Sequence, residues 1–556
     1  MTTNANETRT ATFASPISQE EIARGMRMLN VMNELGGKVA SATLLELIQI
    51  ASGQSTREPA ANDWRFKHPA WSANPFYKAV AQTYLAWSEA VTTAIEETES
   101  EDWREAEQLR LAGVVLTSTL APTNSLWTNP AALERARETG GASLTRGYEA
   151  YRRDRTEKRA LPVQVDSSPY EVGRDLAATP GAVVHREELF EIIEYRPTTP
   201  AVRVRPLLIV PPPIGKYYFL DLAPGRSLVE YAVSRGLHVF MLSWRNPGPE
   251  QRDWDLDTYA AGIVRGTEVA RTVAASEDLN VLGFCAGGIV LSTALSHLAA
   301  TGDTRVNAAS FGVMLLDFDA RTSIGAFSPA TVLETARNRS DELGILPAED
   351  LATTFAWLRP NDLVWNYWVN NYLMGEEPPA NDIMAWNNDG TNLPAALHQD
   401  FLRFFGTNAL AEAGKVTVLG SPVDLSKVEC DTYFMGAVND HLTPWKACFR
   451  SSQLFGGDRT FALSNAGHIA GLVNPPSNPK ARHFVSTAPD GEPEAWLAGA
   501  ESRPGTWWTH WADWMIARSG DERPAPANLG CDAYPALDVA PGRYVHAKAA
   551  TVAAAG

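Results

Sequence analysis

The stretch Asn280–Gly288 reads NVLGFCAGG and sets Gly283-Phe284-Cys285-Ala286-Gly287 between a run fit for a buried strand and a run fit for a helix. This is the G-x-nucleophile-x-G elbow, with cysteine as the nucleophile. The glycines let strand and helix backbones close around a tight turn. The start of the helix lowers a thiol pKa, and its first amides, Ala286 foremost, face a developing oxyanion. A buried structural cysteine is the alternative for the pentapeptide alone. The strand before it and the helix after it favour the nucleophile.

A thiol nucleophile needs a base and an acid, and in a fold of this kind they follow in the order nucleophile, acid, histidine. Asp440 falls in the loop Val438-Asn439-Asp440-His441 after the strand-like ECDTYFMGA, and His468 in Asn465-Ala466-Gly467-His468 after RTFALS. Both loops follow strands, where open α/β sheets carry their active sites. Helix capping by Asp440 and a surface position for His468 are the bland alternatives, and the shared order weighs against them. His441 adjoins Asp440 and either lines a substrate site or orients the loop.

The other histidines have weaker claims. His185 and His238 lie on early strands, His297 on the solvent side of a helix, and His68, His483, His510 and His546 have no acid or thiol nearby in sequence. No CxxC, HExxH, Walker loop or GxGxxG helix start is present, so neither a metal nor a nucleotide cofactor is expected. A second loop, Leu208 to Tyr218 (LIVPPPIGKYY), follows a short strand where a hydrolase elbow finds its second oxyanion amide. Prolines donate nothing, so Ile214 or Gly215 would supply it.

The elements that must position these residues alternate. Strands are expected at Val183–Val184, Leu189–Tyr195, Leu207–Val210, His238–Ser243, Leu279–Phe284, Ser310–Leu316, Cys430–Met435 and Thr460–Leu463. Helices are expected from about Asp257 to Ser276 and from Ala286. Such alternation predicts a mostly parallel sheet covered on both faces. Residues 320–397, rich in Trp, Asn and Pro, break the rhythm and read as a lid, with Trp365, Trp368 and Trp386 as apolar cover. Trp507, Trp508, Trp511 and Trp514 fall at helical spacing, better explained as a core face than as polymer contact.

The first third is helical. Ser18 and Glu21 form a capping box, and Ile22, Met26, Leu29 and Met32 continue at helical spacing until Gly36-Gly37, where the helix is expected to stop. Phe76, Tyr84, Trp87 and Leu109 sit on further helices. The charge run at 152–159 reads as a solvated linker, which places a boundary near 170: residues 1–170 a helical domain, 171–556 the catalytic one.

Composition closes off other classes. In 556 residues, 48 Lys and Arg stand against 65 Asp and Glu, a net charge of −17 that argues against general nucleic-acid binding. Four cysteines are too few for a disulfide scaffold. No apolar run reaches the ~20 residues of a membrane span, and the N-terminus lacks a signal pattern. A cytoplasmic protein with reduced thiols is expected.

On these residues the chain resembles the polyhydroxyalkanoate synthases, bacterial polymerases of (R)-3-hydroxyacyl-CoA, of the single-subunit type. The matching blocks include NPFYKAVAQTYLAWSEAV, PLLIVPPPIGKYYFLDLAPGRSLV, SWRNP, NVLGFCAGG, LRPNDLVWNYWVNNYL, WNNDGTNLP, VNDHLTPWK, SNAGHIAGLVNPP, GTWWTHWADWM and APGRYVHAKA. The family's catalytic Cys, Asp and His fall on Cys285, Asp440 and His468. One departure is Gly215, where the family commonly has Asn. The resemblance implies an α/β-hydrolase fold with a cap insertion after a mainly helical N-terminal domain. It also implies a Cys acyl-enzyme that polymerises hydroxyacyl groups with release of CoA, which is part of the substrate and not a cofactor. Further implications are a homodimer, formed in part by the 320–397 region, and a place at the surface of polyester granules. Two rivals stand beside it: a Cys-dependent hydrolase or thioesterase with the same elbow, and a non-catalytic granule protein. The intact triad weighs against the second.

Overall fold

A computed structural model describes residues 19–98, 100, 102–486 and 491–549. By contact the chain divides into two compact units, Met1–Glu101 with Ala112–Leu133, and Asp102–Leu111 with Glu134–Gly556.

In the first unit the long helix Gln19–Ala51 packs along the helix Pro75–Glu96. Asn74 caps the latter, its Oδ1 accepting the Phe76 amide at 2.9 Å, and Pro75 takes the first helical position, where a missing N–H costs nothing. Phe66, Trp71, Ala81, Tyr84 and Ala121 form a small core. Gly36-Gly37 does not end the first helix, which runs on to Ala51. Both glycines have open space around them, and two residues of weak propensity inside a long helix are outweighed by the rest. Ser18 of the expected capping box lies outside the described residues.

The second unit is built on an eleven-stranded mixed sheet. Its strands are β1 (Gly181–Arg186), β2 (Phe190–Tyr195), β3 (Leu207–Val210), β4 (Val239–Trp244), β5 (Leu279–Phe284), β6 (Val306–Gly312), β7 (Asp431–Ala437), β8 (Arg459–Ser464), β9 (Arg482–Ser486), β10 (Glu501–Pro504) and β11 (Asp538–Val539). Across the sheet they run β10-β9-β8-β7-β6-β5-β3-β4-β2-β1-β11. From β4 through β3, β5, β6 and β7 to β8 all pairs are parallel, and the flanking pairs are antiparallel. The central strands are mostly apolar because both faces are covered, and their few polar residues, such as Asn280 and Ser310, are buried with them. Leu208 and Val210 enter one core with the helices Leu256–Val273, Cys285–Ala300 and Trp445–Ser452, while Leu207 and Ile209 enter another with the helix Trp507–Ile516. Trp507, Trp508 and Trp511 are fully buried there, the core face their spacing predicted.

Three expectations need correction. β6 ends at Gly312, not near Leu316. Val313 takes a positive φ of 46° and hands its amide to Met435 at 2.7 Å, turning the chain off the sheet. The charge run begins inside a helix, Ala142–Thr156, and is no linker there. Its Asp154 is buried and accepts Tyr372 Oη at 2.7 Å. Gly147 of the same helix lies so close to the Tyr372 carbonyl that no side chain fits. This packing places the helix with the second unit, whereas sequence put the boundary near 170. Lastly, the insertion between β6 and β7 spans 313–430, longer than the irregular 320–397 stretch, because the helix Ala395–Thr407 and the turns after it also lie off the sheet.

Candidate active site

Cys285 is the first residue of the helix Cys285–Ala300 and has φ +48°. A non-glycine residue there is strained by about 1–3 kcal/mol, and close packing on both sides holds it. A Cβ on Gly283 would stand 2.9 Å from Gly288 Cα, and one on Gly287 would stand 2.5 Å from the Pro211 carbonyl oxygen. The glycines thus serve contact: Gly287 lets the helix start press on the loop after β3. Cys285 is half-buried, and the amides of Ala286 and Gly287 sit in the first turn, where helical N–H groups lack intrahelical acceptors.

Asp440 and His468 come from the loops after β7 and β8, and they meet. His468 Nδ1 lies 2.6 Å from Asp440 Oδ2. The other carboxylate oxygen accepts the Leu442 and Thr443 amides at 2.9 Å each, and the Thr443 hydroxyl donates to Oδ2 at 2.7 Å. This turn fixes the carboxylate from its own backbone. Burial works against the charge on Asp440, but His468 and these donors overcome it and lower the pKa. For His468, burial again opposes charge; the Asp440 carboxylate and a hydrogen bond with Cys285 outweigh it and push the pKa up to about 10. The imidazole therefore holds a proton strongly, between the Asp440 carboxylate and the Cys285 sulfur from which it takes one. Its short helix, His468–Leu472, is pinned from behind: Trp507 Nε1 donates to the Gly471 carbonyl at 2.7 Å and Trp508 Nε1 to the Leu472 carbonyl at 3.0 Å.

His441 is half-buried beside Asp440; burial, and next the Arg359 charge from the insertion, lower its pKa, so it is neutral at pH 7. In the loop after β3 the Gly215 amide turns back to the Pro212 carbonyl at 3.4 Å. Residues 211–213 are prolines, so Ile214 alone of residues 211–215 keeps an amide for a ligand. Of the three cover tryptophans, Trp386 rests on Phe219, which meets Phe284, the residue before Cys285. Trp365 and Trp368 pack instead with Trp357, Tyr372 and Tyr151.

Sequence reasoning missed several partners. Thr443 is one, although its place three residues after Asp440 is an Asx-turn signal. Lys216 and Asp389 form a buried pair that links the loop after β3 to the insertion, at 3.0 Å. His238 is bonded to buried Glu194 at 2.7 Å, and His297 to Ser421 at 3.0 Å, so neither is an idle strand or surface histidine.

Two family models match, the poly-beta-hydroxybutyrate polymerase N-terminus over residues 62–232 and the alpha/beta hydrolase fold over 220–475. Poly(3-hydroxyalkanoate) polymerase 1 of Ectopseudomonas oleovorans is 42% identical over 90% of this chain and 89% of its own length. The chain belongs to the poly(3-hydroxyalkanoate) polymerase family. Poly(3-hydroxyalkanoate) polymerase 2 of the same organism is 42% identical over 95% of this chain and 93% of its own. The polymerase subunit of Cupriavidus necator is 40% identical over 90% and 86%. The α/β-hydrolase fold expected from sequence agrees with the matched model and with the sheet order. Among the described residues no helix is long and apolar enough to cross a membrane.

Proposed function

We propose that this chain polymerises (R)-3-hydroxyacyl-CoA into polyester through an acyl-enzyme on Cys285, with release of CoA. The observation that carries the mechanism is the strained Cys285 at the helix start beside His468, itself paired with Asp440 at 2.6 Å. His468 takes the thiol proton. The thiolate attacks the thioester carbonyl, and the amides of Ala286 and Ile214 receive the oxyanion. CoA leaves as a thiol, carrying the proton that His468 returns. Thioester exchange is nearly thermoneutral, so the acyl-cysteine stays reactive. The 3-hydroxyl of a second monomer or of the growing chain then attacks it, and formation of the oxyester is downhill.

Asp440 is assigned the role of orienting His468. All its contacts point inward, and a carboxylate of lowered pKa is a weak base toward an alcohol. Neutral His441 lines the substrate side of the loop. The insertion excludes water from the acyl-cysteine, with Trp386 nearest the elbow. Homodimerisation and attachment to the polyester granule, the latter through the helical N-terminal domain, complete the reading.

The deciding assay follows CoA release from (R)-3-hydroxybutyryl-CoA and identifies the acyl product. Polymer is the expected product. Free 3-hydroxybutyrate alone would mean that water reaches the acyl-cysteine, and the hydrolase reading would replace this one.

A further inference from the structure

Resting on the acyl-transfer reading above, we propose that Asp389, contributed by the insertion, is a positioning residue that sets the Ile214 amide through Lys216. The segment from Trp386 to Asn392 returns across the loop after β3 and is fastened along its length. Trp386 Nε1 donates to the Lys216 carbonyl at 2.8 Å, and its ring lies 3.2 Å from where a Cβ on Gly215 would stand. Asp389 Oδ1 receives Lys216 Nζ and Lys548 Nζ, each at 3.0 Å, and its Oδ2 receives Tyr218 Oη at 3.0 Å. Lys216 Nζ also donates to the Val545 carbonyl at 2.6 Å. Beyond Asp389, Asn392 accepts nothing from this loop but anchors the segment, its amide donating to Asn246 Oδ1 at 3.0 Å and its side chain to the Pro247 carbonyl at 3.1 Å.

Lys216 and Asp389 have side chains only 4% and 9% exposed. A buried ammonium–carboxylate pair adds little net stability, because desolvation offsets the attraction; what it does fix is geometry. The geometry here matters at one place. Three prolines stiffen the first half of the loop, and Trp244 Nε1 holds the Pro211 carbonyl at 2.8 Å. The second half, Ile214-Gly215, has of its own only the long turn bond from the Gly215 amide to the Pro212 carbonyl at 3.4 Å. Lys216 restrains it from both ends, its carbonyl held by Trp386 and its ammonium by Asp389. An oxyanion donor displaced by a fraction of an ångström loses most of its effect, since it must match the intermediate and not the ground state. The insertion therefore helps build the catalytic site instead of only covering it.

The test compares full-length wild type with Asp389→Asn, Trp386→Phe and the double variant Lys216→Met/Asp389→Leu, reading kcat and KM for CoA release together with Tm. We expect Asp389→Asn to lower kcat about 10- to 100-fold while KM stays within about twofold. Trp386→Phe, which keeps a ring but loses the N–H, should lower kcat about 3- to 10-fold. The double variant removes both buried charges and should recover Tm without recovering kcat. A wild-type kcat in folded Asp389→Asn, or kcat returning with Tm in the double variant, would overturn the proposal. If Asp389→Asn fails to fold, the other two variants decide it. Free acid as the sole product of the wild type would strike the polymerase reading and leave this one standing.

Discussion

The strand-end loops of the sheet and the insertion between β6 and β7 are held by opposite means. At the strand ends Cys285 and Asp440 are fixed mostly by their sequence neighbours, while the helix of His468 is braced by Trp507 and Trp508. Cys285 is set by Gly283 and Gly287, and Asp440 by the amides two and three residues on. In the insertion the fixing contacts span long stretches of chain. Asn371 donates to the Val163 carbonyl at 2.6 Å, Tyr372 to Asp154, and Asp389 is bound from residues 216, 218 and 548. Local restraint suits groups that must not move during chemistry. Distant restraint lets a cover be built from short helices that lie off the sheet.

The sharpest break in that contrast is at the elbow. Cys285→Ser should fold but lose CoA release by at least about 10⁴-fold, because a serine acylated as an oxyester has no reactive thioester left to pass on. A wild-type rate in that variant would remove Cys285 from the mechanism. His468→Ala should abolish acylation to a similar degree.

Asp440→Asn tests local restraint and charge together, with CoA release falling about 10³-fold. Without the carboxylate, burial dominates, so the imidazole should titrate below 6.5 instead of near 10, as NMR of the ring would show. In the wild type the raised pKa means that His468 contributes stability in full below about 6.5 and loses it as pH rises through about 10. Denaturant unfolding across that range should show the loss in the wild type and not in Asp440→Asn. Rapid quenching should find no accumulated acyl-enzyme in this variant; a trapped adduct would move Asp440 to activation of the hydroxyl.

Gly287→Ala comes next. Its methyl would meet the Pro211 carbonyl, and the strain should lower stability by about 1–3 kcal/mol and depress kcat with it. The smallest effect belongs to the insertion: Tyr372→Phe removes one hydrogen bond to Asp154 and should cost about 1 kcal/mol in stability, with KM and kcat for CoA release near wild type. A large loss of kcat there would mean that the helix Ala142–Thr156 and the cover act on the site as directly as Asp389 does.

Much of this was legible in the chain alone, for reasons that can be named. The central strands followed from apolar runs that need burial on both faces, and the elbow, the acid loop and the histidine loop followed from short-range rules of turns and helix starts. The helix stop at Gly36-Gly37, the solvated linker at 152–159 and the extent of the insertion were misread, because propensity and charge yield to packing. Asp154 is the example: an acid in a charge run reads as solvated, yet it is buried and bound by the Tyr372 hydroxyl from across the fold and by the Val163 amide.

The sequence by itself determined the central strands, the nucleophile's turn and the two loops that carry Asp440 and His468, since each depends on residues a few positions apart. Only the tertiary structure decided that Lys216 and Asp389 are one buried pair, that Trp507 and Trp508 brace the helix of His468, and that Trp386 alone of the cover tryptophans reaches the aromatic chain to Cys285. Those contacts join residues tens to hundreds of positions apart. They depend on how whole elements come to rest against one another, and no local pattern records that.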